Sequence, residues 1–179
     1  MKKNEENVIL DLLPLYSGAK EKIEFSFLLF PEFSKGTDLN FKDGVAVSGS
    51  VVQRASGKTK EKGFTELRIS EKGVYHTRCA RCCEDVCKTL DISGTQIIVS
   101  KLQDDEEDEN YILACDDKIN LTQTASEFLF CNLPYKVLCK DGCKGLCPMC
   151  GENLNTGSCR CKNENIDPRL AILKKLLDK

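Results

Sequence analysis

Six cysteines fall within twenty-three residues near the end of the chain: Cys139, Cys143, Cys147, Cys150, Cys159 and Cys161. Thiols packed that densely must be disulfide-bonded, metal-bound or buried side by side, and each outcome dictates a different fold. The N-terminus, Met1 to Asn7, leads into a short apolar stretch from Val8 to Leu13 that contains an acid. That stretch does not read as a signal peptide, and no apolar run reaches bilayer length. A cytoplasmic, reducing setting is therefore expected, in which twelve cysteines favour metal over persistent disulfides.

Cys147-Pro148-Met149-Cys150-Gly151 spaces two thiols so that both sulfurs can turn onto one ion about 2.3 Å away. Cys159 and Cys161 complete the set across an excursion rich in turn formers, Asn153, Asn155 and Gly157. Four thiolates with no histidine beside them suit a structural zinc ion. Cys79-Ala80-Arg81-Cys82 and Cys139-Lys140-Asp141-Gly142-Cys143 supply four more thiols. Two arrangements stay open. Cys79, Cys82, Cys139 and Cys143 can form a second site, or Cys139 and Cys143 compete for the first ion while Cys79 and Cys82 stay free. One zinc ion is thus expected and two are allowed. Cys83, Cys87 and Cys115 have no evident partner, and Cys131 reads as a small buried hydrophobe.

The remainder of the chain predicts an α+β fold whose antiparallel sheet is barrel- or sandwich-like. Expected strands cover 23–30, 45–52, 64–69, 73–77 and 90–99, with turns at Lys35-Gly36, Lys42-Asp43-Gly44, Ser56-Gly57-Lys58 and Glu71-Lys72-Gly73. A mid-chain helix over about 120–133 has Asn120 as its N-cap, with Gln123 placed to reach back. Leu121, Ala125, Phe128 and Leu129 share a face, and Leu133-Pro134 is the stop. Asp167-Pro168 opens a C-terminal helix with Leu170, Leu173, Leu176 and Leu177 along one side. The expected division is a β-rich body over 1–135 and a module over 136–179 that holds the cysteines and the last helix.

Charge follows that division. Residues 1–135 carry 17 Lys/Arg against 23 Asp/Glu, and residues 136–179 carry 9 against 5. A basic module on an acidic body is compatible with phosphate contact. The acidic run Asp104 to Glu109 reads as a solvated loop.

Enzyme signatures are missing from the sequence. His76 is the single histidine, which leaves no histidine-based triad or two-histidine zinc site, and it reads as a strand surface residue. Ser56-Gly57-Lys58-Thr59 mimics the end of a phosphate-binding loop, but Val52 occupies the position of the required glycine. The Cys79–Cys82 pair lies in an antiparallel strand context rather than at the helix N-terminus of a redox dithiol. A non-enzyme is expected.

Leu138-Cys139-Lys140-Asp141-Gly142-Cys143-Lys144-Gly145-Leu146-Cys147-Pro148-Met149-Cys150-Gly151-Glu152-Asn153-Leu154-Asn155, then Cys159-Arg160-Cys161 and Asp167-Pro168-Arg169-Leu170, resembles the bacterial large ribosomal RNA subunit accumulation (YceD-like) family. Cys79-Ala80-Arg81-Cys82 and Ile119-Asn120-Leu121 fit the same pattern; the extra Cys83, Cys87, Cys115 and Cys131 depart from it. The resemblance implies a cytoplasmic ribosome biogenesis factor needed for accumulation of 23S rRNA. Its partner would be large-subunit rRNA or a ribosomal or processing protein, with no membrane and no small-molecule substrate. For direct rRNA contact the candidates are Lys136, Lys140, Lys144, Arg160, Lys162 and Arg169. The alternatives are a zinc-stapled protein-interaction module and a dithiol redox sensor.

Overall fold

In the computed structural model the residues described are 7–32, 38–54, 64–100 and 111–161. The chain divides into two compact units, one of Met1–Thr77 with Cys87–Tyr135 and one of Arg78–Val86 with Lys136–Lys179. A β-hairpin tip from the middle of the sequence thus belongs to the cysteine-rich unit.

The first unit is built on a five-stranded sheet in the order β2-β3-β4-β5-β6: β2 Lys22–Leu29, β3 Val45–Arg54, β4 Phe64–Arg78, β5 Asp85–Val99 and β6 Tyr111–Leu113. Strict alternation in β2 turns Ile23, Phe25 and Phe27 inward and leaves Lys22, Glu24 and Ser26 exposed. Its antiparallel partner β3 contributes Val45, Val47 and Val51 to the interior. The turn before β3 forms at Lys42-Asp43, with Gly44 N–H donating to the Phe41 carbonyl at 3.3 Å.

β4 runs unbroken through Glu71-Lys72-Gly73, which the sequence marks as a turn. All three residues pair with β3, opposite Val47, Ala46 and Val45. The charged pair misled because a strand with one solvated face carries such residues at alternate positions. Here Lys72 is exposed and its ammonium bonds Asp91 at 2.9 Å, whereas Glu71 points into the core. β5 likewise begins earlier than expected, at Asp85. β6 joins its edge in parallel, Ile97 opposite Tyr111, an exception in a mostly antiparallel fold.

A two-stranded antiparallel ribbon, β1 Ile9–Asp11 with β7 Lys118–Asn120, forms the second layer. Asp116 and Asp117 both adopt left-handed backbone angles between Cys115 and Lys118, the two-residue turn that matches strand twist. The one-turn helix α1, Leu13–Tyr16, follows β1. Leu12, Leu15, Ile119 and Leu121 pack with Val51, Leu67 and Ile98 of the sheet in a single buried cluster, giving the unit a sandwich-like cross-section.

Helix α2 spans Leu121–Asn132. Asn120 Oδ1 accepts from the Gln123 N–H at 3.1 Å, as the capping pattern predicts. The reciprocal bond is not made, because the Gln123 amide donates instead to Glu127 at 2.9 Å. Leu121, Ala125 and Leu129 are buried, while Phe128 is only half-buried. Leu133 is extended (ψ 139°), as a residue before proline prefers, and the helix stops there. Four expected features lie outside the described residues: the C-terminal helix, the acidic run and the two turns at Lys35-Gly36 and Ser56-Gly57-Lys58. Among the described residues no helix is long and apolar enough to cross a membrane.

Candidate metal centres

Cys79 and Cys82 occupy the turn that follows β4. The Cys79 N–H donates to the Glu84 carbonyl at 2.8 Å and the Cys83 N–H to the Cys79 carbonyl at 3.0 Å, with Cys83 in a left-handed conformation. The segment bearing Cys139 and Cys143 is held against this tip by three bonds. Ala80 N–H donates to the Val137 carbonyl at 2.9 Å, the Arg81 guanidinium to the Cys143 carbonyl at 2.8 Å, and Leu146 N–H to the Arg81 carbonyl at 3.1 Å. The result is one tip group of four sulfurs, all within 4.8 Å of one another. The Cys79–Cys143 separation is 3.7 Å and the Cys82–Cys139 separation 3.5 Å. Cys79, Cys82 and Cys143 are buried, with Val86, Val137 and Leu138 packed about them. Of the two arrangements that the sequence leaves open, the structure has the one with Cys139 and Cys143 beside Cys79 and Cys82.

The C-terminal group forms on a small loop pair. Cys147 N–H donates to the Glu152 carbonyl at 2.8 Å, Gly151 N–H to the Cys147 carbonyl at 2.9 Å, and Leu154 N–H to the Gly145 carbonyl at 2.9 Å. Gly151 (φ +75°) and Gly145 (φ +79°) make the two reversals in backbone that side chains disfavour. Cys159 lies 3.3 Å from Cys147 and 3.4 Å from Cys150, and Cys161 joins within the same 4.8 Å radius. Despite the single-residue gap, the Cys161 N–H bonds the Cys159 sulfur at 3.2 Å. This group is far wetter: Cys150 and Cys161 are exposed.

A tetrahedral ion with metal–sulfur distances of about 2.3 Å needs its sulfurs about 3.8 Å apart. The closest sulfur pairs in both groups, at 3.3–3.7 Å, lie near that edge length and far beyond a disulfide bond. Electrostatics point the same way. Burial opposes ionisation of Cys79, yet the N–H groups of Cys82 and Arg81 directed at its sulfur hold the thiol down to about 6. The N–H groups of Cys150 and Met149 bring Cys147 down to about 7. Burial also opposes ionisation of Cys143, and the Asn155 amide and Gly145 N–H outweigh it. The fourth case runs the other way. The Glu84 N–H favours the Cys82 thiolate, but burial and the thiols of Cys79, Cys139 and Cys143 push it up to about 12. Each group therefore pairs sulfurs whose ionisation is favoured with sulfurs whose ionisation is opposed, as it is for Cys150, Cys159 and Cys161 by neighbouring thiols. A bound cation would offset that opposition. Either group could hold a metal ion through four sulfurs.

Asn153 and Asn155 do more than turn the chain. The Asn153 amide donates to Glu84 at 2.8 Å, and Asn155 bonds Cys143, Lys144 and Asn153. Arg81 and Glu84 belong to the same outer layer. Spacing does not signal the bonds to Glu84, Cys143 and Lys144, because only the fold brings those partners together.

Cys83, Cys87, Cys115 and Cys131 are all exposed. The expectation of a buried Cys131 fails because it lies off the apolar stripe of α2. It lines, with Cys115, a cleft of about 830 Å3 between that helix and strands β5 and β6. His76 is half-buried, its backbone paired with Asn40. Lys136, Lys140, Lys144 and Arg160 are exposed in the second unit. Lys162 and Arg169 lie outside the described residues.

Fold and site together define an α+β protein carrying two four-cysteine groups able to hold metal. The family described as large ribosomal RNA subunit accumulation protein YceD matches residues 67–177, and the chain belongs to that family. It is 30% identical over 164 residues to an uncharacterized protein, YlbN, of Bacillus subtilis (strain 168), covering 91% of this chain and 92% of that one. An uncharacterized protein of Mycobacterium tuberculosis, Rv2926c, is 30% identical over 102 residues, 55% of this chain and 49% of its own. A chloroplastic large ribosomal RNA subunit accumulation protein YCED homolog of Zea mays is 35% identical over 63 residues, 35% of this chain and 22% of its own. No solved structure matches the chain.

Proposed function

We propose that this protein is a non-enzymatic, cytoplasmic ribosome biogenesis factor that supports accumulation of 23S rRNA. Two zinc ions staple its cysteine-rich unit, and exposed Lys136, Lys140, Lys144 and Arg160 touch rRNA phosphates. The observation that carries this reading is the gathering of eight cysteines into two four-sulfur groups inside the family-matched stretch. Four sulfurs with no other donor suit a structural rather than a catalytic zinc site, and exposed basic side chains lie on the same unit.

Elemental analysis of purified, reduced protein should return two zinc ions per chain, one for each group. Crosslinking in cells followed by sequencing should recover 23S rRNA. Binding to 23S fragments in vitro should weaken with salt, the logarithmic slope falling by roughly 0.7–0.9 for each phosphate contact removed by alanine at the four basic positions. Absence of metal would overturn the zinc reading; recovery of no rRNA, with affinity indifferent to salt, would overturn the RNA reading.

A second reading has its own observation. Leu146 and Met149 are 38% and 53% exposed on the same unit, and large apolar side chains in water suit a protein partner. In that case the crosslinked species is a ribosomal or processing protein, and zinc only holds the unit together.

A further inference from the structure

Asn155 belongs, by sequence, to the excursion between Cys150 and Cys159. Its side chain nonetheless reaches the other group: Nδ2 lies 3.4 Å from the Cys143 sulfur. The orientation of the amide is fixed. Oδ1 accepts the Lys144 N–H at 2.9 Å, so the donor end must face Cys143 and the Asn153 Oδ1, which it meets at 2.9 Å. Asn153 in turn accepts the Asn155 N–H at 3.0 Å and donates to Glu84, whose other oxygen lies 3.8 Å from the Cys82 sulfur. Cys143 thus takes one outer contact from Asn155 directly, and Cys82 takes one from a Glu84 carboxylate that Asn153 holds. Asn153 and Asn155 lie in a loop whose two ends, Cys150 and Cys159, belong to the C-terminal four-sulfur group.

We propose that the two metal centres are coupled, with Asn155 as the positioning residue through which loading of the C-terminal group strengthens binding at the tip group. This rests on the metal reading above. A metal held by Cys147, Cys150, Cys159 and Cys161 pins both ends of the excursion and so presents the Asn155 donor to Cys143. A thiolate that accepts such a bond is a better-oriented ligand, and loss of an outer-layer partner commonly weakens metal affinity about 10- to 100-fold. Coupling of this kind is reciprocal, so loading of the tip group favours the C-terminal group equally. The burial of the tip group and the exposure of the other give the coupling a direction in practice. The wetter centre exchanges metal with solvent, and the buried one follows.

The test uses the full-length reduced chain and Zn2+ buffered over a range of free concentrations. Each cysteine is alkylated and quantified by mass spectrometry, giving a protection midpoint for each group separately. In the wild type the two groups become protected together. Asn155→Ala should raise the midpoint of Cys79, Cys82, Cys139 and Cys143 about tenfold or more. Asn155→Asp keeps the acceptor for Lys144 but replaces the donor with a charge facing a thiolate, and should raise it at least as far. Disabling the C-terminal group with Cys150→Ser and Cys161→Ser should produce a similar rise, and adding Asn155→Ala to that background should change nothing more. An unmoved tip-group midpoint in these variants overturns the proposal. So does an Asn155→Ala effect that persists in full without the C-terminal group, since the contact would then be purely local. Failure of zinc to protect any cysteine of the wild type is a different result and removes the metal reading itself.

Discussion

Glu71 is the residue whose environment most contradicts its chemistry. It is 0% exposed, its neighbours along the inward face of β4 are Ile69 and Gly73, Val47 lies opposite, and neither carboxylate oxygen has a hydrogen-bond partner among the described residues. Burial pushes its carboxyl up from 4.5 to about 7. The sign follows from linkage. Below the unfolded value of 4.5 both states are protonated and the full stability is present. As pH rises toward 7 the unfolded chain ionises first, and stability is progressively lost. The loss is of order 3 kcal/mol, at about 1.4 kcal/mol for each pH unit separating the two states. Denaturant midpoints should therefore fall between pH 5 and pH 7.5, and Glu71→Gln should flatten that part of the curve. An identical slope in the variant would show that other groups set it. Sequence spacing offers no warning of this residue, since Glu-Lys-Gly reads as a turn until pairing with β3 turns Glu71 inward.

At the scale of single elements, α2 was the most legible. Its cap, apolar spacing and stop are local features, and local chemistry decides them. Asn120→Ala removes the side-chain acceptor for the Gln123 N–H and should cost about 1 kcal/mol in global stability, read from urea unfolding. The glutamine half of the capping pattern adds nothing here, so Gln123→Ala should cost far less than Asn120→Ala. A larger loss from Gln123→Ala would refute that ranking. Strands β2 to β5 were legible in position but not in length, and β4 reads in the sequence as two strands. β4 and β5 each run fifteen residues, and their continuity comes from long partners rather than from their own composition. The short strands β1, β6 and β7 escaped notice altogether. Three residues carry too little periodicity to read, and such strands exist only because a paired neighbour satisfies their backbone.

Across the whole molecule, the two units have cores of different composition. The first has an ordinary apolar core of leucine, isoleucine and valine. In the second, the buried cluster consists of Cys79, Cys82, Cys143 and a single valine, Val86. A core made mostly of thiols stabilises little without an ion, and structural zinc contributes roughly 10–16 kcal/mol in isolated finger peptides. Chelation of the purified protein should therefore collapse amide dispersion for residues 78–86 and 136–161 while the resonances of β2, β3 and α2 stay in place. An unchanged spectrum for the cysteine-rich unit would show that apolar packing alone holds it.

The sequence by itself determined the α+β class, the cap and stop of α2, and the four-thiol set at Cys147, Cys150, Cys159 and Cys161. Each is specified by residues within a few positions of one another, where backbone geometry leaves few alternatives. Only the tertiary structure decided that Cys79 and Cys82 meet Cys139 and Cys143 across some sixty residues, that Asn155 serves a sulfur outside its own loop, and that Glu71 is buried. Those outcomes depend on strand register and on which segments pack together. Many sequences with the same local pattern satisfy such constraints differently, so spacing alone does not encode them.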